Sequence, residues 1–122
     1  MSTSDLQSLA SDIQDAMFLA MNKTGDVEVQ VSDSDDSIEI VRIIAGEGGA
    51  GLGTKAMLAA CEVADSQGVI LELTPSGSYF EDEDAALSRL IVFYGRFGFL
   101  DSGHGTMVRT PVSEQDHPRM RM

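Results

Sequence analysis

Apolar residues recur along the first twenty positions at intervals of three and four: Leu6, Leu9, Ile13, Met17, Ala20 and Met21. That spacing predicts an amphipathic helix over about 5–22, with Ser4 and Gln7 as a capping box and Gly25 as its stop. Residues 26–31, DVEVQV, alternate apolar and polar and predict a half-exposed strand. The Asp- and Ser-rich stretch 32–37 is a turn. Residues 38–45 are the second strand of a hairpin, alternating at first and apolar at the end. A helix follows over 52–67, with Leu52, Ala56, Ala59, Ala60 and Val63 as its buried stripe and Gly68 at its end. Residues 69–74, VILELT, read as a mostly buried strand, broken by Pro75, and 76–84 as a loop. A third helix is predicted over 83–96, with Leu87, Leu90, Ile91 and Tyr94 on one face and Gly98 ending it. Residues 99–101 and 106–110 are two short closing strands, and 113–122 is a loose tail. The order α-β-β-α-β-α-β-β predicts an α/β (α+β) layer fold over residues 1–112. Its sheet is expected to be five-stranded, mixed and mainly antiparallel, with helices on both faces.

Composition narrows the function. A chain of 122 residues with 43% hydrophobic content is a single globular domain. It has no run of 18 apolar residues, so no membrane span is expected. The N-terminus carries no signal pattern, and the single cysteine, Cys61, suits a reducing cytoplasm. Cys61 sits among Ala59, Ala60 and Val63 and reads as a small core residue. The formal net charge is −12, with only 8 Lys plus Arg, which argues against nucleic acid as a partner. Such a surface attracts amines or basic peptides instead. No His, Cys and carboxylate cluster has metal-ligand spacing, so no metal is expected.

The densest chemical signal lies between the second strand and second helix. Gly48, Gly49, Gly51 and Gly53 remove Cβ atoms where the chain must bend and where a ligand must approach the backbone. The helix start that follows offers unpaired N–H groups and a partial positive charge, a site for phosphate. A P-loop is excluded, because Thr54-Lys55 follows the glycines in the wrong order. The dinucleotide pattern G-x-G-x-x-G is met by Gly46, Gly48 and Gly51, with Glu72 some 20 residues on, but any glycine-dense turn can meet it.

A further pattern covers more of the chain. Residues 43–54, IIAGEGGAGLGT, resemble the acetyl-CoA turn of the GCN5-related N-acetyltransferases (the GNAT family), which typically reads V-x-P-E-x-R-G-x-G-[IL]-G-T. Gly49, Gly51, Leu52, Gly53 and Thr54 fall in register. Ala45, Gly46 and Gly48 depart from it, replacing the family's Pro, Glu and basic residue. Residues 93–99, FYGRFGF, resemble the family's F-Y-x-[KR]-x-G-F. The resemblance covers roughly residues 37–110. It implies acetyl-CoA lying in a V between two parallel strands, 38–45 and 69–74. Ile43, Ile44, Ala45, Gly48, Gly49, Ala50, Gly51, Leu52, Gly53, Thr54 and Tyr94 would hold it, with Lys55 as a spare cation. Tyr94 would protonate the departing CoA thiolate. Glu39 is the candidate general base, with Glu72 next and His104 a loop alternative. The family's core has one more N-terminal strand, so the chain resembles a trimmed member. The implied activity is acetyl transfer to an amine, on a small molecule or a basic peptide, and a homodimer stays open. The alternative is a non-catalytic module of the same fold that binds CoA or a basic partner.

Overall fold

The computed structural model describes residues 3–33, 36–44, 51–75, 82–103 and 105–112. Its elements are α1 (Thr3–Ala20), β1 (Asp26–Val31), β2 (Ser37–Ile44), α2 (Leu52–Gln67), β3 (Ile70–Leu73), α3 (Glu83–Gly95), β4 (Leu100–Asp101) and β5 (Met107–Arg109). The five strands form one mixed sheet in the order β1-β2-β3-β5-β4. β2 and β3 are parallel, and the β1–β2, β3–β5 and β4–β5 pairs are antiparallel.

Alternation along the strands gives the sheet two unlike faces. Val27 and Val29, Ile38 and Ile40, Leu71 and Leu73, and Met107 are buried on one face. Their cross-strand partners, Val29↔Ile40, Ile38↔Leu71 and Leu73↔Met107, share that side. The other face carries Glu28, Gln30, Glu39, Glu72 and Val108. α1 packs on β1 and on α2. α2 reaches the sheet through Asp65, which binds Arg109 beside Leu71. The C-terminal end of α3 joins the same core through Tyr94 and the Phe97 carbonyl, which accepts from Arg109 Nε. Among the described residues all three helices therefore lie on one face. This corrects the expectation of helices on both faces. The physical reason is in the strands: only one face is apolar, so a helix on the other would bury nothing.

A β-bulge adjusts that alternation. Glu28 faces Arg42 but Val29 faces Ile40, so Val41 is an extra residue on β2. Regular alternation after Ile38 and Ile40 would send Arg42 into the core. The bulge sends Ile43 there and turns Arg42 to the polar face. There Arg42 meets Asp26 at 2.7 Å and Glu28 at 3.2 Å.

Several predicted details shift. α1 begins at Thr3, so Ser4 lies inside the helix and does not cap it. It is stopped not by Gly25 but by Asn22 and Lys23, both left-handed (φ 58° and 61°). Their N–H groups bond back to the Leu19 and Phe18 carbonyls. α2 has the predicted bounds, but its buried stripe is Leu52, Ala56, Met57, Ala60, Cys61 and Ala64, rotated from the predicted one toward α1 and the sheet. α3 ends at Gly95, and Gly98 (φ 96°) shapes the turn beyond it. Among the described side chains of α3, Ala86 and Tyr94 are buried, while Ile91 is 38% and Val92 61% exposed. α3 sits at the rim of the core and covers it with its C-terminal end.

Candidate functional site

β2 and β3 pair only from Ser37↔Ile70 to Ile40↔Leu73. β3 then ends, while β2 continues to Ile44 alongside β1 alone. From Val41 onward, among the described residues, the β3-facing edge of β2 has no strand paired with it. Ile43 and Ile44 lie along this edge, Ile43 half-buried on the helix face and Ile44 46% exposed on the other. Residues 45–50, which include Ala45, Gly48, Gly49 and Ala50, lie outside the described residues.

The chain returns at Gly51, which caps α2 in the left-handed region (φ 90°, ψ 0°) with no side-chain cap. The Lys55 N–H takes the Gly51 carbonyl at 3.0 Å. The helix-start N–H groups of Leu52, Gly53 and Thr54 have no acceptor within the helix, as at any helix N-terminus. Leu52 is 3% exposed and anchors the turn in the core, while Thr54 and Lys55 are exposed. Leu52 can thus offer a ligand its N–H but not its side chain.

Tyr94 packs edge-on against Phe93 and Phe99, at centroid distances of 5.3 and 6.2 Å. It is 7% exposed, and burial raises its phenol above the usual value of 10.0. No buried side-chain oxygen or nitrogen among the described residues lacks a partner, and the Tyr94 hydroxyl has no described one. Its hydroxyl therefore keeps contact with solvent while the ring is sealed. A phenol near 10 is a weaker acid than a thiol near 8.5, so complete transfer to a free thiolate is uphill by about 2 kcal/mol. Burial widens that gap. Tyr94 can serve a leaving thiolate by donating a hydrogen bond as charge builds on sulfur, not by giving up its proton beforehand.

Glu39 and Glu72 are register partners on adjacent parallel strands, on the polar face. Glu39 Oε1 accepts from Gln30 Nε2 at 3.1 Å. Ser37 Oγ donates to Glu72 Oε2 at 2.9 Å and lies 2.7 Å from Ser32 Oγ. Tyr94 is thus on the helix face and Glu39 on the open face. The sequence could not place the two on opposite sides. His104 lies outside the described residues.

Arg89 and Arg96, to which the motifs alone give no role, line a surface groove. This groove, of about 460 Å³, is lined by Ser88, Arg89, Val92, Phe93 and Arg96. Phe93 brings this groove to the start of α2, its Cζ lying 3.8 Å from where a Gly53 Cβ would stand. The available signal was two arginines seven apart on one helix in a chain with only 8 basic residues. Cys61 is buried, and its thiol is pushed up by desolvation, only partly offset by Arg109. A thiol held protonated is inert, in keeping with a core role. Among the described residues no group of three His, Cys, Asp or Glu is placed to hold a metal, and no helix is long and apolar enough to cross a membrane.

No family model matches this chain, and no curated protein matches it closely enough to count as a relative.

Proposed function

We propose that the chain binds acetyl-CoA between β2 and β3, where their pairing ends, and transfers the acetyl group to an amine, as a protein of GNAT type acting in the cytoplasm. The observation that carries this reading is that two parallel strands pair only as far as Ile40 and Leu73, with α2 beginning at a left-handed glycine that has no side-chain cap. Main-chain donors at Gly51, Leu52, Gly53 and Thr54 suit a pyrophosphate, and they do not need the basic side chain missing at Gly48. The thioester would sit where the β2–β3 pairing ends, with Tyr94 on one side and the amine arriving from the other. That side carries Glu39 and Glu72, which favour a cationic acceptor, either a small amine or a basic peptide. Rate enhancement would come mainly from holding thioester and amine together.

The test is thermal unfolding with acetyl-CoA and, separately, NAD. A ligand at 100 times its Kd stabilises by about 2.7 kcal/mol, which is readily seen. Stabilisation by NAD and none by CoA would refute the assignment. CoA release in a screen of polyamines, amino acids and basic peptides then separates an enzyme from a binding module. Tight CoA binding with no turnover on any amine would favour the module.

A further inference from the structure

The chain's cations are distributed unevenly. Six of its basic residues are described: Lys23, Arg42, Lys55, Arg89, Arg96 and Arg109. Arg42 is tied to Asp26 and Glu28, and Arg109 to Asp65. Of the four that make no described ion pair, three stand at the start of α2, on α3 or at its C-cap: Lys55, Arg89 and Arg96. Arg89 and Arg96 flank Val92 and Phe93, which make the floor of the 460 Å³ groove. Seven residues on a helix span about 10 Å, so the two guanidiniums are spaced to bracket a ring with a phosphate, not to share one oxygen. Val92 is 61% exposed and leaves the floor open to a planar group.

The net charge of −12 sharpens this point. A polyanion approaching such a surface is repelled at long range, so any anion site needs concentrated local cations. Here Lys55 stands in the first turn of α2, and Arg89 and Arg96 line the groove whose Phe93 reaches Gly53 at that helix start.

We propose that the α3 groove binds the adenosine 3′-phosphate end of the CoA ligand, and that Arg89 and Arg96 make the protein selective for CoA over dephospho-CoA. The inference rests on the CoA reading above and adds a specificity that reading does not require. A phosphomonoester carries close to two negative charges at neutral pH and accepts charge-assisted bonds from guanidinium. The adenine lies on Val92 and Phe93, and the pyrophosphate runs back to the Gly53 amide. Ser88 offers a hydroxyl at the groove's end.

The experiment is calorimetric titration of the full chain with CoA, dephospho-CoA and adenosine 3′,5′-bisphosphate. It is repeated on Arg89→Gln and Arg96→Gln, which keep most of each side chain's stem. Both arginines are exposed, on α3 and at its C-cap, so the variants should melt with the wild type. CoA should bind at least about tenfold more tightly than dephospho-CoA, the size of one charge-assisted contact. Each variant should bring CoA down toward the dephospho-CoA value and leave dephospho-CoA unchanged. Equal affinity for the two ligands in the wild type would overturn the groove assignment while the CoA reading stands, and so would variants that weaken both alike. If neither CoA form binds, the CoA reading fails. The bisphosphate then decides the groove alone: binding lost in both variants keeps it as a nucleotide site, and no binding removes it.

Discussion

The buried pair Arg109–Asp65 offers the sharpest energetic test of this fold. Arg109 donates from Nη1 to Asp65 Oδ1 at 2.8 Å, from Nη2 to Asp65 Oδ2 at 3.0 Å and from Nε to the Phe97 carbonyl at 2.6 Å. Asp65 Oδ1 also accepts the Val112 N–H at 2.8 Å. The two side chains are 8% and 26% exposed. One carboxylate thus joins α2 to β5, to the turn after α3 and to the chain beyond β5. Asp65→Ala strands a guanidinium in the core and orphans the Val112 N–H. Breaking one side of such a pair costs about 3–5 kcal/mol, and the partial exposure of Asp65 places this case near 3. Replacing both partners by apolar residues, Asp65→Leu with Arg109→Met, removes the stranded charge and should cost about 1 kcal/mol or less. Urea unfolding followed by circular dichroism measures both. With a slope of about 1–3 kcal/mol per M, the single variant should lower the midpoint by at least about 1 M at unchanged slope. A loss below about 1 kcal/mol in Asp65→Ala, or a double variant that costs the sum of the singles, would refute the claim that an unpaired buried charge sets the penalty. On the Arg109 side the sign is simple. The Asp65 hydrogen bond raises the guanidinium pKa above its already high ordinary value, so its contribution is fully present below that value and constant across neutral pH.

Gly25→Ala should destabilise by about 1–3 kcal/mol, since a Cβ there would stand 2.5 Å from the Ile44 carbonyl oxygen and 2.9 Å from Met21. Gly68→Ala meets no atom but holds φ at +68°, so urea unfolding should show a loss of about 1 kcal/mol. For CoA binding, Gly53→Val is the cleaner probe than Gly51→Val. Gly51 has φ +90°, and a branched residue there would harm folding as well, whereas Gly53 meets only Phe93, at 3.8 Å. Gly53→Val should abolish CoA binding by calorimetry with near-wild-type melting, and normal binding would mean the turn is structural. Tyr94→Phe should lower kcat with the acetyl-CoA Kd little changed. With hydrogen-bond donation as its role, the drop is near the low end of general-acid effects, about 10²-fold, and a change within twofold would exclude it. Burial raises the Cys61 thiol pKa above 9.0, so this group's share of stability is full below pH 9 and is lost as pH rises from there through the higher folded value. Denaturation at pH 8 and 10 should show that Cys61→Ala flattens the decline, and an identical decline in wild type and variant would rule the thiol out.

Each element of this chain was legible to within a few residues, because each is written in local spacing. The alternation of DVEVQV and SIEIVRII predicts strands, the small-residue run of α2 a packed helix, and Gly68 its end. The same alternation already held the reason for a one-faced sheet, in Glu28, Glu39 and Glu72. Which face the helices would choose was not written locally, since that depends on where the chain returns after each strand. The bulge at Val41 is likewise a property of the pairing, and it alone decides that Ile43 and not Arg42 enters the core. Of the candidate site, the sequence determined its residue types: glycines before a helix, a tyrosine near the end of another. Only tertiary structure decided that β3 stops at Leu73 while β2 continues, and that Tyr94 and Glu39 stand on opposite faces. It also set Arg89 and Arg96 around one groove whose Phe93 reaches Gly53, and drew Arg109 from the last strand onto Asp65. Spacing along the chain reports what each segment can bury. It carries no record of which charges, 40 residues apart, share a low-dielectric space and must find each other there.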